Sequence, residues 1–239
     1  MPRFFSDNIS QDTAVINGSD AVHIGRSLRM RLGDELIVCN DGIEYTTTIQ
    51  SISDSEVVCE IVSSCKSSAE PDIDLILFQA VPKSDKLDFI VQKAIELGAK
   101  KIYPVITSRC VSRPDKKGFD KKRQRLQKIA LEAAKQSGRG IIPHVEDIID
   151  FNKCVELLSQ TDFPLMCYEK GGRNLNEIGL KSHSTVGVFI GSEGGFDQSE
   201  ADFCIQNGVI TIGLGNRILR CETAPISAIS IIMNLTGNM

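Results

Sequence analysis

The sequence predicts an α/β protein in which a small β domain is followed by a larger domain built on a parallel sheet. Two patterns support this prediction. Short β-like runs separated by turn signals fill the first seventy residues. Beyond residue 72, apolar strand candidates alternate with amphipathic helices, as in parallel sheets covered by helices. With 239 residues, the chain has room for one large domain or for a small and a medium one.

The small β domain is predicted from three strand-like runs at 35–39, 44–50 and 57–62. The turn Asn40-Asp41-Gly42 separates the first two runs and favours a hairpin, so we expect a small β barrel or sandwich. The stretch 63–72 is polar and rich in serine and carries a proline near its end, which predicts a linker. We therefore expect domains at residues 1–70 and 71–239.

The larger domain is predicted from apolar runs that alternate with helical periodicity. Strands are expected at 73–81, 101–106, 165–168, 186–190 and 209–212, and helices at 85–97 and 120–136. The last helix is expected to begin at Pro225, because the missing N–H of proline costs nothing in the first helical turn.

Composition excludes several classes of protein. No apolar run approaches the roughly 18 to 20 residues that span a bilayer, and the N-terminus lacks the apolar core of a signal peptide. We therefore expect a cytoplasmic protein. We expect that compartment to be reducing, because the eight cysteines are scattered and suit neither a zinc site nor a short disulfide framework. We expect no metal site, since none of His23, His144 and His183 has the spacing of a ligand set.

A basic segment stands out from the net charge of −4. Residues 109–139 carry eleven lysines and arginines against three acidic residues. Such a segment can follow a phosphate backbone. The alternative is a solvated helix face, which is what a charge run more often forms.

Two glycine loops near the C-terminus predict a ligand site. The first, from Ile190 to Phe196, follows a predicted strand and precedes a capping box formed by Asp197 and Glu200. Glycines at the carboxyl end of a strand let backbone amides approach a ligand. Neither the spacing of a dinucleotide fingerprint nor a Walker lysine is present, so NAD and ATP in their usual frames are not expected. The alternative is a simple tight turn.

The second loop, from Leu214 to Pro225, favours a ligand over a simple turn. With Gly213 before it, the sequence GLGNRILRCETAP packs two glycines, two arginines, a glutamate and a threonine between a strand and a helix. A loop that only reverses the chain does not need this density of functional groups.

These segments resemble the 16S rRNA uracil-N3 methyltransferases, the RsmE family of the SPOUT superfamily. The resemblance covers the whole chain and includes RFF, HIGRSLRMRLGD, KSDKLDFIVQKAIELG, RLQKIALEAAKQSGR, IGSEGG and LGNRILRCETAP. It implies a PUA-like β-barrel domain followed by a SPOUT domain with a C-terminal trefoil knot, in a homodimer. It also implies S-adenosyl-L-methionine (SAM) as cofactor and 16S rRNA, within the assembled small ribosomal subunit, as substrate. Ser192 departs from the family, which usually has proline there.

The resemblance assigns roles within the two loops. The residues that it implies for cofactor binding are Gly191, Glu193, Gly194, Gly195, Leu214, Gly215, Ile218, Leu219 and Thr223. A cation beside the uracil carbonyls would stabilise the anion that forms when N3 loses its proton, which makes Arg220 the first catalytic candidate and Arg217 the second. Glu222 is a candidate to orient Arg220 or to accept the proton. Two alternatives are an Arg220–Glu222 ion pair that only fixes the loop and a Cys221 thiolate that adds to the ring.

The resemblance also implies contacts to RNA. The candidates are Arg26, Arg29, Arg31, Arg113, Lys121, Lys122, Arg123, Arg125 and Arg139. Alternative functions are methylation of another RNA, such as tRNA or large-subunit rRNA, and RNA binding without catalysis. A dehydrogenase is a further alternative that the missing dinucleotide fingerprint disfavours.

Overall fold

A computed structural model describes all 239 residues of the chain. The residues form two compact units. The first contains Met1–Glu70 together with Ala134–Ile142, and the second contains Pro71–Ala133 and Pro143–Met239. The chain therefore leaves the first unit after residue 70 and contributes nine further residues to it from the middle of the sequence.

The N-terminal unit is built on a five-stranded sheet with the order β1-β3-β4-β5-β2. Its elements are β1 (Arg3–Phe5), β2 (Thr13–Asn17), α1 (Ser19–Val22), a π-helical turn (His23–Ser27), β3 (Glu35–Asn40), β4 (Ile43–Ile52) and β5 (Glu56–Lys66). The predicted hairpin is confirmed, since β3 and β4 pair antiparallel around Asp41 and Gly42. Strands β1 and β2 were not predicted, because each is only three to five residues long.

The predicted linker at 63–72 is wrong in its first part. Strand β5 continues to Lys66, and its exposed end pairs with β4, as in the partners Tyr45 and Ser64. The residues from Glu60 to Lys66 are largely exposed, so this end lacks the apolar alternation that marks a strand in sequence.

The second unit contains an eight-stranded sheet in which every pair is parallel. The strands are β6 (Asp74–Ala80), β7 (Lys101–Ile106), β8 (His144–Val145), β9 (Ile149–Asp150), β10 (Phe163–Cys167), β11 (Arg173–Asn174), β12 (Thr185–Ile190) and β13 (Ile210–Gly213). The helices are α2 (Lys86–Glu96), α3 (Lys116–Ser137), α4 (Phe151–Leu158), α5 (Gln198–Gln206) and α6 (Thr223–Leu235), with a 3-10 turn at Leu175–Glu177. The last four residues of α3 belong to the N-terminal unit. The α/β prediction is thereby confirmed.

Helices of this unit bury one apolar face each, as their periodicity predicts. In α2 the buried residues Leu87, Ile90, Val91, Ala94 and Ile95 recur at intervals of three and four. The capping box of α5 is present: Asp197 accepts from the Ser199 amide, and the Glu200 carboxylate accepts from the Asp197 amide. Helix α6 begins at Thr223, two residues before the predicted start. None of the helices is long and apolar enough to cross a membrane.

Strand order reverses at β10. The sheet follows the order β11-β13-β10-β12-β6-β7-β8, with β9 also paired to β7. The chain passes from β10 to β12 on one side and later returns to β13 on the other side. Because all three strands are parallel, the loops that leave their carboxyl ends share one edge of the sheet, which is where ligands bind in open α/β sheets.

Candidate cofactor and acceptor site

A cavity of about 510 Å³ opens at the carboxyl ends of β10, β12 and β13. Its wall consists of residues 167–169 and 171 after β10, 190–196 after β12, and 212–221 after β13, with Lys86 and Ala224. This volume lies within the range of small-molecule sites, roughly 300 to 1,000 Å³. The two glycine loops thus form most of one cavity.

The cavity brings together most residues that were predicted for cofactor binding. Eight of the nine line it: Gly191, Glu193, Gly194, Gly195, Leu214, Gly215, Ile218 and Leu219. Thr223 does not, since it is exposed at the start of α6, where its amide donates to the Arg220 carbonyl at 2.9 Å. Ile218 is 85% exposed, which leaves an apolar side chain beside the opening for a ligand to cover.

The first glycine loop forms a tight turn. The Gly195 amide donates to the Ser192 carbonyl at 2.9 Å, and Gly195 has a φ of 64°, which disfavours any residue with a side chain. A Cβ atom on Gly191 would lie 3.1 Å from the Gly195 Cα. The two glycines are therefore required by backbone conformation and by close backbone approach.

Ser108 and Arg109, which follow β7, form hydrogen bonds that support this turn and the start of α5. The Arg109 guanidinium donates to the Gly194 carbonyl at 2.8 Å, and the Ser192 hydroxyl donates to the Arg109 carbonyl at 3.3 Å. The Ser108 amide donates to Glu200 at 2.7 Å. Where the resembling family usually has a rigid proline, this chain therefore carries a hydroxyl tied to the neighbouring loop.

Lys86 joins the two glycine loops. Its ammonium lies 3.1 Å from Oε1 of Glu193 in the first loop and 3.1 Å from Oε2 of Glu222 in the second. The Lys83 amide also donates to Glu193, at 3.1 Å. Lys86, Glu193 and Glu222 are called the lysine clamp below. The alternative of an Arg220–Glu222 ion pair is not formed, because Glu222 pairs with Lys86.

The charges of the clamp reinforce one another. The hydrogen bonds that the Lys86 ammonium donates to Glu193, and then to Glu222, raise the pKa of Lys86. Burial alone would raise the pKa of Glu193 and of Glu222, but hydrogen bonds and the Lys86 charge outweigh it and hold both pKa values below 4.5. The stabilisation that the two carboxylates give to the folded protein is lost as pH falls through their lowered pKa values. The stabilisation that Lys86 gives is lost as pH rises through its raised pKa. The clamp is therefore fully charged from about pH 5 to about pH 10.

Glu222 is a poor candidate for a general base in this arrangement. It does not line the cavity, and its lowered pKa makes its carboxylate a weak proton acceptor at neutral pH. Arg217 and Arg220 do line the cavity, and both are exposed with no side-chain hydrogen bond or ion pair. These two guanidinium groups are the cations available to a ligand there.

Cys221 is buried beside the clamp. Its thiol donates to Oε2 of Glu222 at 3.2 Å and lies 3.7 Å from the Lys86 ammonium. Burial, followed by the hydrogen bond to Glu222, raises the pKa of Cys221 to about 12. The sulfur is therefore a protonated thiol near neutral pH, which disfavours attack by a thiolate.

The predicted RNA contacts differ in their surroundings. Arg139 is corrected: it is 2% exposed, and its guanidinium forms a two-point pair with the carboxylate of Glu70 at 2.9 and 2.8 Å. A buried, paired arginine cannot meet a phosphate without breaking that pair. In contrast, the candidates Arg29, Arg31 and Lys121 are exposed without an ion pair.

Other basic candidates have partners within their own unit. Arg26 pairs with Asp54, Arg123 with Asp120 and Asp147, and Arg125 with Asp85 and Asp88. Arg113 donates to the carbonyls of Cys110 and Ser108, and Lys122 donates to the Ser84 carbonyl. Exposed lysines without an ion pair remain at the start of α3, namely Lys116, Lys117 and Lys121.

Sequence reasoning missed three residues of the site. Lys86 and Glu169 line the cavity, and Arg109 supports the first glycine loop. Lys86 stands in the quoted motif KSDKLDF, which was the only signal for it. No local pattern marks Glu169, which lies more than twenty residues from either glycine loop in sequence.

Comparison with known proteins agrees with this geometry. The family described as "RNA methyltransferase domain" matches residues 69–233, and "RNA methyltransferase PUA domain" matches residues 16–62. Ribosomal RNA small subunit methyltransferase E of Bacillus subtilis is 35% identical over 246 residues, covering 97% of this chain and 96% of that protein. The protein of the same name from Aquifex aeolicus is 28% identical and covers 97% of this chain and 98% of that protein.

Solved structures give the same grouping. Ribosomal RNA small subunit methyltransferase E from Neisseria gonorrhoeae, bound to S-adenosyl methionine, has a TM-score of 0.85 and 29% identity, covering 99% of this chain and 98% of that one. A methyltransferase from Legionella pneumophila in complex with SAM has a TM-score of 0.87 and 28% identity, covering 98% and 97%. The N-terminal unit is accordingly a PUA-like domain, and the chain belongs to the RNA methyltransferase family, among the ribosomal RNA small subunit methyltransferases E.

Proposed function

We propose that this protein transfers the methyl group of SAM to N3 of a uridine in 16S rRNA, within the assembled small ribosomal subunit. The observation that carries the proposal is the cavity formed by both glycine loops at the reversal of strand order. Two similar structures of 28 and 29% identity hold SAM. The relatives named for the small ribosomal subunit indicate the class of RNA.

The cavity fits the proposed cofactor. Its wall combines backbone amides of the first glycine loop with aliphatic side chains of Leu214, Ile218 and Leu219. Such a mixture suits a nucleoside that carries an amino-acid tail, because flat apolar contacts hold the base while amides meet its polar edges. When bound, SAM supplies an electrophilic methyl group on a sulfonium centre. The residues proposed for cofactor binding are the eight that line the cavity.

The protein must also activate the methyl acceptor, uracil N3. Uracil N3 must lose its proton before its lone pair is fully available, and the resulting anion is shared with the ring carbonyl oxygens. We propose that Arg220, with Arg217 second, donates to those oxygens as an oxyanion hole does. Both are exposed at the cavity and free of internal partners. Glu222 acts in this proposal as a member of the lysine clamp, which positions the second glycine loop with its two arginines.

Methyl transfer is tested on unmodified small ribosomal subunits incubated with the protein and SAM, followed by reverse transcription of the rRNA. An N3 methyl group blocks Watson–Crick pairing, so we expect one new stop in 16S rRNA. A stop in tRNA or large-subunit rRNA instead would reassign the substrate. Calorimetry with SAM, NAD and ATP tests the cofactor separately: an RNA-binding protein without catalysis binds none of them, and a dehydrogenase binds NAD.

Cys221→Ser is expected to retain methyl transfer within about threefold of the wild type. The thiol is protonated, and serine keeps a donor toward Glu222 because it only replaces sulfur by oxygen. The measurement is kcat with small subunits under saturating SAM. A complete loss of turnover with SAM binding intact would restore the thiolate mechanism.

RNA binding is proposed to use the exposed lysines at the start of α3. Charge reversal of Lys116, Lys117 and Lys121 to glutamate is expected to weaken RNA binding by at least tenfold. The slope of the logarithm of the binding constant against the logarithm of the salt concentration is expected to fall by roughly one for each phosphate that is no longer neutralised. SAM affinity is expected to stay unchanged. The matched control is Lys181→Glu, an exposed lysine in another loop. Equal salt slopes for the triple variant and the wild type would contradict the proposal.

The proposal has three further parts. Arg29 and Arg31 of the PUA-like domain provide a second RNA contact, supported by their exposure.

The trefoil knot implied by the resemblance is supported by the return of the chain across β10 to form β13. A homodimer in the cytoplasm, where small subunits are methylated, follows from the resemblance and is tested by analytical ultracentrifugation of the purified protein.

A further inference from the structure

Glu169 follows β10, the central strand of the three whose loops form the cavity. Its carboxylate lies against Gly195 so closely that a Cβ atom there would be 2.7 Å from Oε1 and 3.0 Å from Oε2. Glycine at this position therefore leaves space for the carboxylate as well as permitting the turn. Glu169 is a residue of the cavity wall, and its carboxylate lies beside the first glycine loop.

This carboxylate has no partner in the chain. The other carboxylate on the wall, Glu193, is paired with Lys86 and the Lys83 amide. The side chains beside Glu169 are engaged elsewhere, because the Tyr168 hydroxyl and the Lys170 ammonium both contact Gln198, at 3.1 and 2.9 Å. Glu169 is exposed, so water satisfies it in the free protein. A ligand that fills the cavity displaces this water and must supply hydrogen-bond donors in its place.

The proposed cofactor carries two groups that could supply them. Its ribose has two neighbouring hydroxyls, which match the two oxygens of one carboxylate. Its amino-acid end has an ammonium but also a carboxylate. Glu169 would repel that carboxylate, whereas the guanidinium groups of Arg217 and Arg220 would attract it. The ribose is therefore the better match for Glu169.

We propose that Glu169 is a specificity-determining residue that accepts hydrogen bonds from the 2′ and 3′ hydroxyls of the cofactor ribose. The inference rests on the proposed function and deepens it, because it assigns a recognition role to a residue outside both glycine loops. In this arrangement the glycine loops hold the cofactor largely through backbone atoms, and Glu169 distinguishes ribose from deoxyribose.

The test is a double-mutant cycle measured by calorimetry with S-adenosylhomocysteine, its 2′-deoxy and 3′-deoxy analogues, and an analogue that lacks the amino group. Glu169→Gln keeps the shape of the side chain but removes its charge and one acceptor. We expect it to weaken S-adenosylhomocysteine binding about 10-fold or more, because hydrogen bonds to charged groups contribute more than neutral ones. The same substitution is expected to weaken the binding of each deoxy analogue less than that of S-adenosylhomocysteine, because each analogue keeps only one of the two hydroxyls that Glu169 would contact. Glu177→Gln, at an exposed glutamate outside the cavity, is the matched control.

Each outcome has a separate meaning. Equal losses for S-adenosylhomocysteine and both deoxy analogues would overturn the ribose assignment. A loss that disappears only with an analogue lacking the amino group would overturn it in favour of the ammonium. Unchanged binding by Glu169→Gln, with the wild type binding normally, would remove Glu169 from recognition altogether. Failure of the wild type to bind SAM and S-adenosylhomocysteine would instead contradict the proposed function itself. Thermal unfolding of Glu169→Gln verifies its fold.

Discussion

Glu70→Ala is expected to lower the free energy of unfolding of the N-terminal unit by about 3 to 5 kcal/mol. The carboxylate of Glu70 accepts four hydrogen bonds, two from the Arg139 guanidinium and two from the amides of Gly140 and Ile141, at 2.8 and 3.2 Å. Its removal leaves a buried guanidinium without its carboxylate and two amides without their acceptor. The measurement is hydrogen exchange of peptides from β3, β4 and β5 at increasing urea concentration.

Two controls separate the pair from its surroundings. Glu156→Ala removes one member of an exposed pair with Lys153 and is expected to cost less than about 1 kcal/mol. The double variant Glu70→Leu with Arg139→Met replaces the buried charges by apolar groups and is expected to recover much of the loss. Equal stability of Glu70→Ala and Glu156→Ala would show that the buried pair contributes little.

Lys86→Met is expected to lower kcat/KM for methyl transfer by about 100-fold. Without the ammonium, the carboxylates of Glu193 and Glu222 repel each other, and the two glycine loops lose the group that joins them. Displacement of reacting groups by about 1 Å is enough for a loss of this size. Lys86→Arg retains the charge and is expected to stay within about tenfold of the wild type.

The control for this prediction lies on the same helix. Lys93→Met removes a lysine that pairs with Glu96 away from the cavity, and it is expected to leave kcat/KM unchanged. SAM affinity and turnover are measured separately, so that a loss in binding is distinguished from a loss in the chemical step. Normal turnover by Lys86→Met would mean that the two loops hold their positions without the clamp.

The features that sequence predicted are those specified by neighbouring residues. The capping box of Asp197 and Glu200 and the apolar face of α2 arise within a few residues, and both are confirmed. The glycine loops could also be recognised, because a left-handed residue such as Gly195, with a φ of 64°, strongly favours glycine.

The features that sequence missed depend on residues far apart in the chain. Lys86 is 107 residues from Glu193 and 136 from Glu222, so no local pattern reports the clamp. The same limitation explains Arg139. Its charge suggested an RNA contact, but Glu70 lies 69 residues away and the pair is formed only by folding. Residues 63–66 gave no strand signal because their pairing with β4, and not their own apolar pattern, holds them in β5.

The return of Ala134–Ile142 to the N-terminal unit limits how modular this chain can be. A fragment ending at residue 70 would lack the arginine and the two amides that surround its last carboxylate, although it contains every strand of the five-stranded sheet. The complementary fragment would carry those nine residues without Glu70, which accepts hydrogen bonds from three of them. Exchange of the PUA-like domain between relatives would therefore have to replace two separate segments, residues 1–70 and residues 134–142.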